Sequence, residues 1–411
     1  MGLLSAPSRE AVVALAMLAL LYASAAAEAG DWDLSIDVRA LDSDGRRSFL
    51  EHGQGKLRFD DDHSGVRLGR LRGAWTQPLG EVFSAHLDAT SWGDDDKNIL
   101  DLTEAYLEYR PYPQSALRSR VRLGAFYMPM SLENRARGWE TPYTLTPSAI
   151  STWLGEEFRT IGIESQFEWL GTRAGHRFDL GLTTALFGWN DPAGTMLAQH
   201  GFAFDDRATT LFGRVGTHTD APNANNELFH DIDHRAGFYV GGQVHYLDRA
   251  VLNVLHYDNR ADPTAFSPSL RDFAWQTKFD AAALRVETSG DWTVLIQRLE
   301  GDTYIAPGGF WLEWEYAASS AMLVKGFGPH RLALRYDEFE VEFVPGGPGT
   351  EDGHAFDVTY AFERGDRWRV MLEWLRVRSD VAARPVMLGE RSLATESKVE
   401  LSVRYMISGV F

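Results

Sequence analysis

The sequence predicts an all-β fold: a transmembrane, antiparallel, up-and-down β-barrel of 16 strands. Three observations carry that reading. The chain ends in Val399-Glu400-Leu401-Ser402-Val403-Arg404-Tyr405-Met406-Ile407-Ser408-Gly409-Val410-Phe411, where every odd position is apolar or glycine and the even side holds Glu400, Ser402, Arg404 and Ser408. Side chains alternate across a strand, so this is one strand with an oily and a wet face, and bacterial outer-membrane barrels commonly close their sheet on such a strand with an aromatic terminus. Segments of about ten residues with the same alternation recur from Trp32 onward. The connections between them alternate between tight turns and long polar loops, the texture of an up-and-down barrel.

The elements follow in order. Arg9, the apolar run from Ala11 to Leu21 and the small residues Ala23-Ser24-Ala25-Ala26-Ala27 have the three parts of a secretory signal peptide, with cleavage expected after Ala27 and, second, after Ala29. Residues 1–27 are thus read as a leader and 28–411 as one barrel domain. Tight connections fall at Pro78-Leu79-Gly80, Pro111-Tyr112-Pro113, Gly171 to Gly175, Leu247-Asp248-Arg249, Ser289-Gly290-Asp291, Gly326-Phe327-Gly328-Pro329 and Arg364-Gly365-Asp366, where Gly, Pro or Asp can reverse the chain. Longer connections lie near 42–64, 92–99, 127–157, 190–235, 258–270, 303–309, 343–353 and 381–396. Seven short turns and eight long loops require sixteen strands, with both termini on the short-turn side. If 209–215 also crossed the membrane with a partner, the count would be 18.

Individual strands support the scheme. Ile161, Ile163, Phe167 and Trp169 alternate with Gly162, Glu164, Gln166 and Glu168; Phe310, Leu312, Trp314, Tyr316 and Ala318 alternate with Trp311, Glu313 and Glu315. Assigning the carboxylates of both strands to water gives a polar lumen. Trp368 and Trp374 are six residues apart, roughly 20 Å at strand rise, which suits two aromatic girdles. Val66 and Leu68 change parity to Leu71, Gly73 and Trp75, which predicts a bulge in that strand.

Composition narrows the function. The chain has 411 residues, no cysteine and a formal charge of −18. It therefore relies on no disulfide or thiolate chemistry, and its acidity argues against nucleic acid as a partner. Part of the negative charge sits in the loop runs Asp60-Asp61-Asp62 and Asp94-Asp95-Asp96. On the strand from Leu117 to Ala125, Arg118, Arg120 and Arg122 share one face, about 6.6 Å apart, with Glu104 and Glu108 of the preceding strand as the expected partners. A cationic ladder in a pore lowers the barrier for anions and raises it for cations.

After that strand the chain reads Gly124-Ala125-Phe126-Tyr127-Met128-Pro129-Met130-Ser131-Leu132-Glu133-Asn134 and continues through Arg135, Arg137, Trp139, Tyr143 and Trp153 to Arg159. With Leu102-Thr103-Glu104-Ala105-Tyr106-Leu107-Glu108-Tyr109 before it, and Gly290-Asp291-Trp292-Thr293 and Gly301-Asp302-Thr303 later, the sequence resembles the phosphate-selective porin O and P family. The resemblance implies a sixteen-stranded homotrimeric porin of the Gram-negative outer membrane whose third extracellular loop folds into the channel. Carried onto this sequence, it implies an anion path of Arg118, Arg120 and Arg122 with Arg135 and Arg137 from the loop; the terminal strand adds Arg404. A comparable lysine cluster near the mouth is missing and the chain is acidic, so the safer expectation is a general or weakly selective porin. Independently, connection 127–157 is long, and its Trp139, Pro142, Tyr143, Pro147 and Trp153 favour a packed segment for which the barrel interior is the available place.

The expected function is thus passive diffusion of small hydrophilic solutes or ions, anions favoured and phosphate among them. Outer-membrane lipid, lipopolysaccharide and small anions are the expected partners, with no cofactor and no metal. His230-Asp231-Ile232-Asp233-His234 offers donors for a divalent ion, but without an evident fourth ligand. Gly-x-Ser-x-Gly, His-Glu-x-x-His and P-loop motifs are lacking. A barrel phospholipase would need a paired Ser and His that no spacing singles out. A soluble carbohydrate-binding sandwich, suggested by 13 tryptophans, does not explain the terminal strand.

Overall fold

Strand alternation closes this chain on itself. The computed structural model describes residues 30–93, 100–136, 138–216 and 225–410. The expected leader, Asp94-Asp95-Asp96, Arg137 and Phe411 lie outside the described residues. The strands are β1 (Asp31–Ser43), β2 (Gly65–Pro78), β3 (Phe83–Trp92), β4 (Asp101–Tyr109), β5 (Leu117–Phe126), β6 (Thr160–Trp169), β7 (Phe178–Gly188), β8 (Gly237–Tyr246), β9 (Ala250–Asp258), β10 (Gln276–Thr288), β11 (Trp292–Ile305), β12 (Leu312–Phe327), β13 (His330–Phe343), β14 (Glu351–Arg364), β15 (Trp368–Val381) and β16 (Leu393–Val410). Each pairs antiparallel with its sequence neighbours, and β1 pairs with β16 to complete a closed barrel. Trp32 faces Gly409, Ile36 faces Tyr405 and Ala40 faces Leu401 across that seam. Every short turn named from the sequence joins two of these strands at one end of the barrel.

The count is sixteen. Segment 209–215 forms no strand of the barrel: the Leu211 amide donates to the carbonyl oxygen of Leu102 on β4 (2.7 Å), and Val215–Gly216 makes a two-residue ladder with Asn225–Asn226, separate from the barrel sheet. The expected irregularity in β2 is a bulge: Asp37 pairs with Arg70 and Val38 with Leu68, which leaves Gly69 unmatched. A Cβ on Gly69 would lie 2.2 Å from Nε of Arg39, so the bulged position has no room for a side chain.

Polarity is inverted relative to a soluble barrel. Leu34, Ile36 and Val38 of β1 are exposed, and Asp37 and Arg39 between them are buried. Trp368, Leu372 and Trp374 of β15 likewise face outward, and Met371, Glu373 and Leu375 inward. An apolar exterior of this kind is stable against hydrocarbon.

One strand corrects the sequence reading. In β12 the alternation is as expected but the faces are exchanged: Trp314, Tyr316 and Ala318 are buried inside, and Glu315 is exposed. Glu313 and Glu315 are outward because this long strand continues past the apolar belt, where the outer face meets water. Its inner face serves a different end. Trp153 lies 4.8 Å from Tyr316, 4.7 Å from Phe158 and 5.9 Å from both Phe279 and Phe202, so the inner wall of β9–β13 is packed with rings. These belong to one large buried apolar cluster inside the barrel.

The inverted polarity makes a direct prediction. Leu372→Arg, on the apolar exterior, should destabilise the barrel by about 2–4 kcal/mol if the position lies near the bilayer midplane. Urea titration in lipid vesicles checks it, with an outward charge beyond the belt, Glu338→Arg, as the control that should change little.

Candidate functional site

The lumen is occupied by the connection after β5. Gly124, with φ +137° and a Cβ position 2.3 Å from the carbonyl oxygen of Ala105, lets the end of β5 bend against β4 where no other residue fits. The chain then crosses the barrel and is fastened to the wall on many strands. Nδ2 of Asn253 on β9 donates to the carbonyl oxygens of Pro129 and Met130 (2.8 and 2.9 Å). Nε2 of Gln297 on β11 donates to Glu133 (3.1 Å), whose carboxylate also accepts from the amide and hydroxyl of Ser148 (3.0 and 2.6 Å). On β15 Glu373 accepts from the amides of Leu145 and Thr146 (2.7 and 2.8 Å). Arg335 on β13 donates to the carbonyl oxygen of Thr146, and Lys398 on β16 donates to its hydroxyl (2.8 Å). Arg70 on β2 and Arg404 on β16 both hold Glu140.

The second half of the connection forms α1 (Ala149–Glu157), capped by the Ser148 hydroxyl, which accepts from the amide of Ser151 (3.3 Å). Ile150, Trp153 and Leu154 on this helix enter the ring-lined cluster. Two more segments pack beside it. Connection 189–236 contributes α2 (Thr195–His200) and the buried Phe202 and Phe204, and connection 44–64 contributes Phe49, Leu57 and Phe59. Lys56 ties them to the wall through Glu351 (2.6 Å) and the carbonyl oxygen of His200. Asp206 is held by Arg39 and Arg58. The filling reaches the short-turn side as well, where Leu132 and Tyr143 pack on Val251, Leu295, Met322, Val324 and Ala333.

The arginines named from the sequence on β5 differ in exposure. Side-chain exposure falls from 36% at Arg118 to 27% at Arg120 and 9% at Arg122. Their pairing differs from the expectation. Arg118 donates to Glu168 (2.6 Å) and Arg122 to Glu164 (3.0 and 2.8 Å), both on the following strand β6. Arg120 has only long contacts, 3.8 Å to Glu108 and 3.7 Å to Glu164. Glu108 is thus a weak partner, and Glu104 instead accepts from the amide of Tyr127 (3.1 Å). Arg122 lies 4.1 Å over the Phe126 ring, and the Tyr239 hydroxyl donates to its partner Glu164 (2.6 Å), so Arg122 acts as a brace. Arg404 is a brace too, between Asp37 and Glu140. Arg135 is exposed, and no described carboxylate reaches it.

Near the short-turn end, Arg110, Arg118 and Arg120 with Gln166 and Glu168 line a cavity of about 90 Å³. Arg110 was not legible as a site residue because it follows β4 as an ordinary loop cation. The buried network of Arg39, Arg70, Arg72, Arg335 and Lys398 was also missed. Its signal was present: Arg331, Arg335 and Asp337 share one face of β13, opposite Leu332, Leu334 and Tyr336.

Electrostatics hold the inserted segments with opposite signs. Burial opposes ionisation of Glu140, but Arg404, Arg70 and Arg72 outweigh it and keep its carboxyl below the usual carboxylate range. Glu157 goes the other way: burial and then its neighbour Glu156 push it up to about 8, against hydrogen bonds from Trp153, Leu197 and Gly194. The histidine run gathers no imidazole pair. His230 meets Glu227, His234 meets Asp231, and the nearby carboxylates of Asp191, Asp231 and Asp233 draw together. Asp191 spends its Oδ2 on the amides of Ile232 and Asp233, which makes this a loop clasp.

No protein-family model matches the chain, and no curated protein matches it. Solved structures do. The fold is similar to a loop-deletion form of OmpT, an outer membrane protein of Vibrio cholerae, at 11% identity over 92% of this chain and 100% of that one, with a TM-score of 0.51. It is similar to the outer membrane channel DcaP of Acinetobacter baumannii at 11% identity over 92% and 96% of the two chains, with a TM-score of 0.53. The trimer form of in-vitro folded OmpT gives 11% identity, 92% and 100% coverage and a TM-score of 0.50. The shared feature is the fold.

Two predictions follow from the fastening of the loop. Glu373→Ala removes the acceptor of two loop amides, each hydrogen bond to a charged group contributing about 1.5–3 kcal/mol; residues 140–148 should become sensitive to limited proteolysis with the barrel intact. Glu157 is protonated in the folded state and ionised in the unfolded state between its ordinary range and about 8, so its contribution favours folding at low pH and is lost as pH rises through that window. Thermal unfolding of wild type should show a lower midpoint at pH 9 than at pH 6, and Glu157→Gln should shrink that difference.

Proposed function

We propose that this chain is an outer-membrane porin, a passive channel for small hydrophilic solutes and ions with a preference for anions. The observation that carries the reading is the closed, apolar-faced barrel in which a loop fastened to seven wall strands narrows the lumen beside a guanidinium-lined cavity. In this reading the long loops face outside, the short turns and both termini face the periplasm after removal of the leader at 1–27, and connection 127–157 is the constriction. Diffusion down a gradient needs no cofactor and no catalytic group. The similarity in fold to a protein titled an outer membrane channel supports the assignment, and the solved trimer form of a second similar protein supports a homotrimer.

Anion preference rests on imbalance within the cavity and loop. Arg110 and Arg135 have no carboxylate in ion-pair reach among the described residues, and the contacts of Arg120 are long. A residual positive field at the periplasmic mouth attracts anions and weakens with salt. The formal charge of −18 does not oppose this, because acidic side chains such as Glu300, Glu315, Glu338 and Glu340 are outside the barrel. Phosphate is a candidate solute by the sequence resemblance.

Reversal potentials in a planar bilayer under a salt gradient test the proposal. Wild type should select anions, and Arg118→Ala/Arg120→Ala should lose most of that selectivity at unchanged open-channel count. Arg122 is spared in this variant because its removal would leave Glu164 buried and unpaired. A cation-selective wild type would overturn the anion preference, and a purified barrel without conductance would overturn the porin reading. Added phosphate should reduce chloride current if it dwells in the cavity.

A further inference from the structure

A second register shift gathers three metal-ligating side chains on the lumen wall. Between β3 and β4 the pairing steps from Asp88 opposite Glu104 to Ala89 opposite Leu102, so Thr103 is the extra residue of a bulge. Thr103 turns its hydroxyl onto Oδ1 of Asp88 (3.0 Å), and Asp88 and Glu104 face inward side by side. His86 precedes Asp88 by two residues and shares its face of β3. One donor atom from each of the three lies within 4.8 Å of the other two. Nε2 of His86 and Oε2 of Glu104 are 4.0 Å apart, too far for a hydrogen bond and near enough for one Zn²⁺ to sit between them at about 2.0–2.2 Å from each. The chemistry is spread over two strands, so the sequence shows no metal motif here.

The other polar atoms of these side chains are held from outside, which leaves the inner donors free. Nδ1 of His86 meets the Thr76 hydroxyl (2.9 Å), and Nε2 has no hydrogen-bond partner although the residue is only 9% exposed. A proton on Nδ1 donated to Thr76 leaves the Nε2 lone pair able to ligate. Oε1 of Glu104 accepts from the Tyr127 amide (3.1 Å), and among the described residues no Lys or Arg lies within ion-pair reach of Glu104. Asp88 is clasped by Arg72, which it shares with Asp33. Three carboxylates thus share one guanidinium beside a free imidazole nitrogen, an arrangement short of positive charge. Ligating histidines and carboxylates are oriented by outer hydrogen bonds of this kind. The cluster of Glu51, Asp60 and His63 differs, because carboxylates take both ring nitrogens of His63 (2.9 and 2.5 Å). An imidazole among carboxylates favours Zn²⁺ or Cu²⁺ over the hard Mg²⁺ and Ca²⁺. We propose that His86, Asp88 and Glu104 bind one divalent transition-metal ion, with Thr76, Arg72 and the Tyr127 amide as the outer partners that orient them. The ion joins β3 and β4 at the point where Glu104 holds the start of the inserted loop.

Calorimetric titration of Zn²⁺ into the detergent-purified protein, freed of metal by a chelator, tests the site. Wild type should bind one equivalent most tightly, and about a hundredfold excess of Mg²⁺ should not displace it. His86→Ala and Glu104→Gln should each weaken that equivalent at least about tenfold, with unchanged heat-modifiable gel mobility; Glu104→Gln keeps an acceptor for the Tyr127 amide. His63→Ala should leave the affinity as it is. Electron paramagnetic resonance of wild type with Cu²⁺ needs no variant: the first equivalent should couple to a single imidazole nitrogen. No binding by wild type, equal affinity in wild type and both site variants, or a first equivalent coupled to two or more nitrogens would overturn the proposal.

Discussion

A strand in hydrocarbon can satisfy its amides and carbonyls only on neighbouring strands, and everything else here depends on that constraint. It requires β1 and β16 to find each other from opposite ends of the chain, and their thirteen paired positions from Asp31 to Ser43 are what turn a sheet into a ring. Closure then fixes parity. Once the seam sets Leu401 outward and Glu400 inward, a slip of one residue would put Glu400 and Arg404 into lipid and Leu401 into the charged interior. The bulge at Gly69 adjusts parity locally, and Arg39 occupies the space that a side chain would need; a second register shift, between Asp88 and Ala89, does the same for β3 against β4.

The closed ring encloses charges that must be paired, and the inserted loop does much of the pairing. Glu140 answers Arg70 and Arg404, Glu133 answers Arg335, and the amides of Leu145 and Thr146 answer Glu373. Removing one member of such a set leaves a buried charge uncompensated, which costs more than the pair contributes in place. Wall and loop therefore specify each other: the wall charges are tolerable because the loop is there, and the loop is immobilised by the wall. The ring-lined side of β9–β13 does the same with apolar surface, since Trp153 and Phe158 bury rings that would otherwise face a wet lumen.

Much of this was legible in the sequence because barrel physics acts locally. The sixteen strands, the short turns, the bulge in β2 and the outward Trp368 and Trp374 all follow from parity and turn chemistry. What parity cannot say is which face is inside at a given height. Glu313 and Glu315 alternate with Trp314 and Tyr316 just as Glu164 and Glu168 alternate with Ile163 and Phe167, yet the faces are opposite. The difference is that β12 projects beyond the belt, and strand length relative to the bilayer is a property of the assembled barrel. Partner choice was equally non-local: the β5–β6 register sets Glu168 opposite Arg118 and Glu164 opposite Arg122, and the inserted loop claims Glu104 through the amide of Tyr127.

The inserted loops engage wall charges of both signs. Carboxylates near the loop are consumed by backbone amides: Glu104 by Tyr127, Glu373 by Leu145 and Thr146, Glu157 by Gly194 and Leu197. Guanidiniums are engaged by the loops in the same way: Arg335 donates to the carbonyl oxygen of Thr146, Arg70 to that of Gly138 and Arg331 to that of Pro142. Exposure then decides which cations remain available, and the order Arg118, Arg120, Arg122 runs from solvent to core. Buried carboxylates such as Glu133, Asp337, Glu373 and Glu400 stand beside buried Arg39, Arg70, Arg335 and Lys398, so the interior is a paired network of both signs in which wall and loop each supply part.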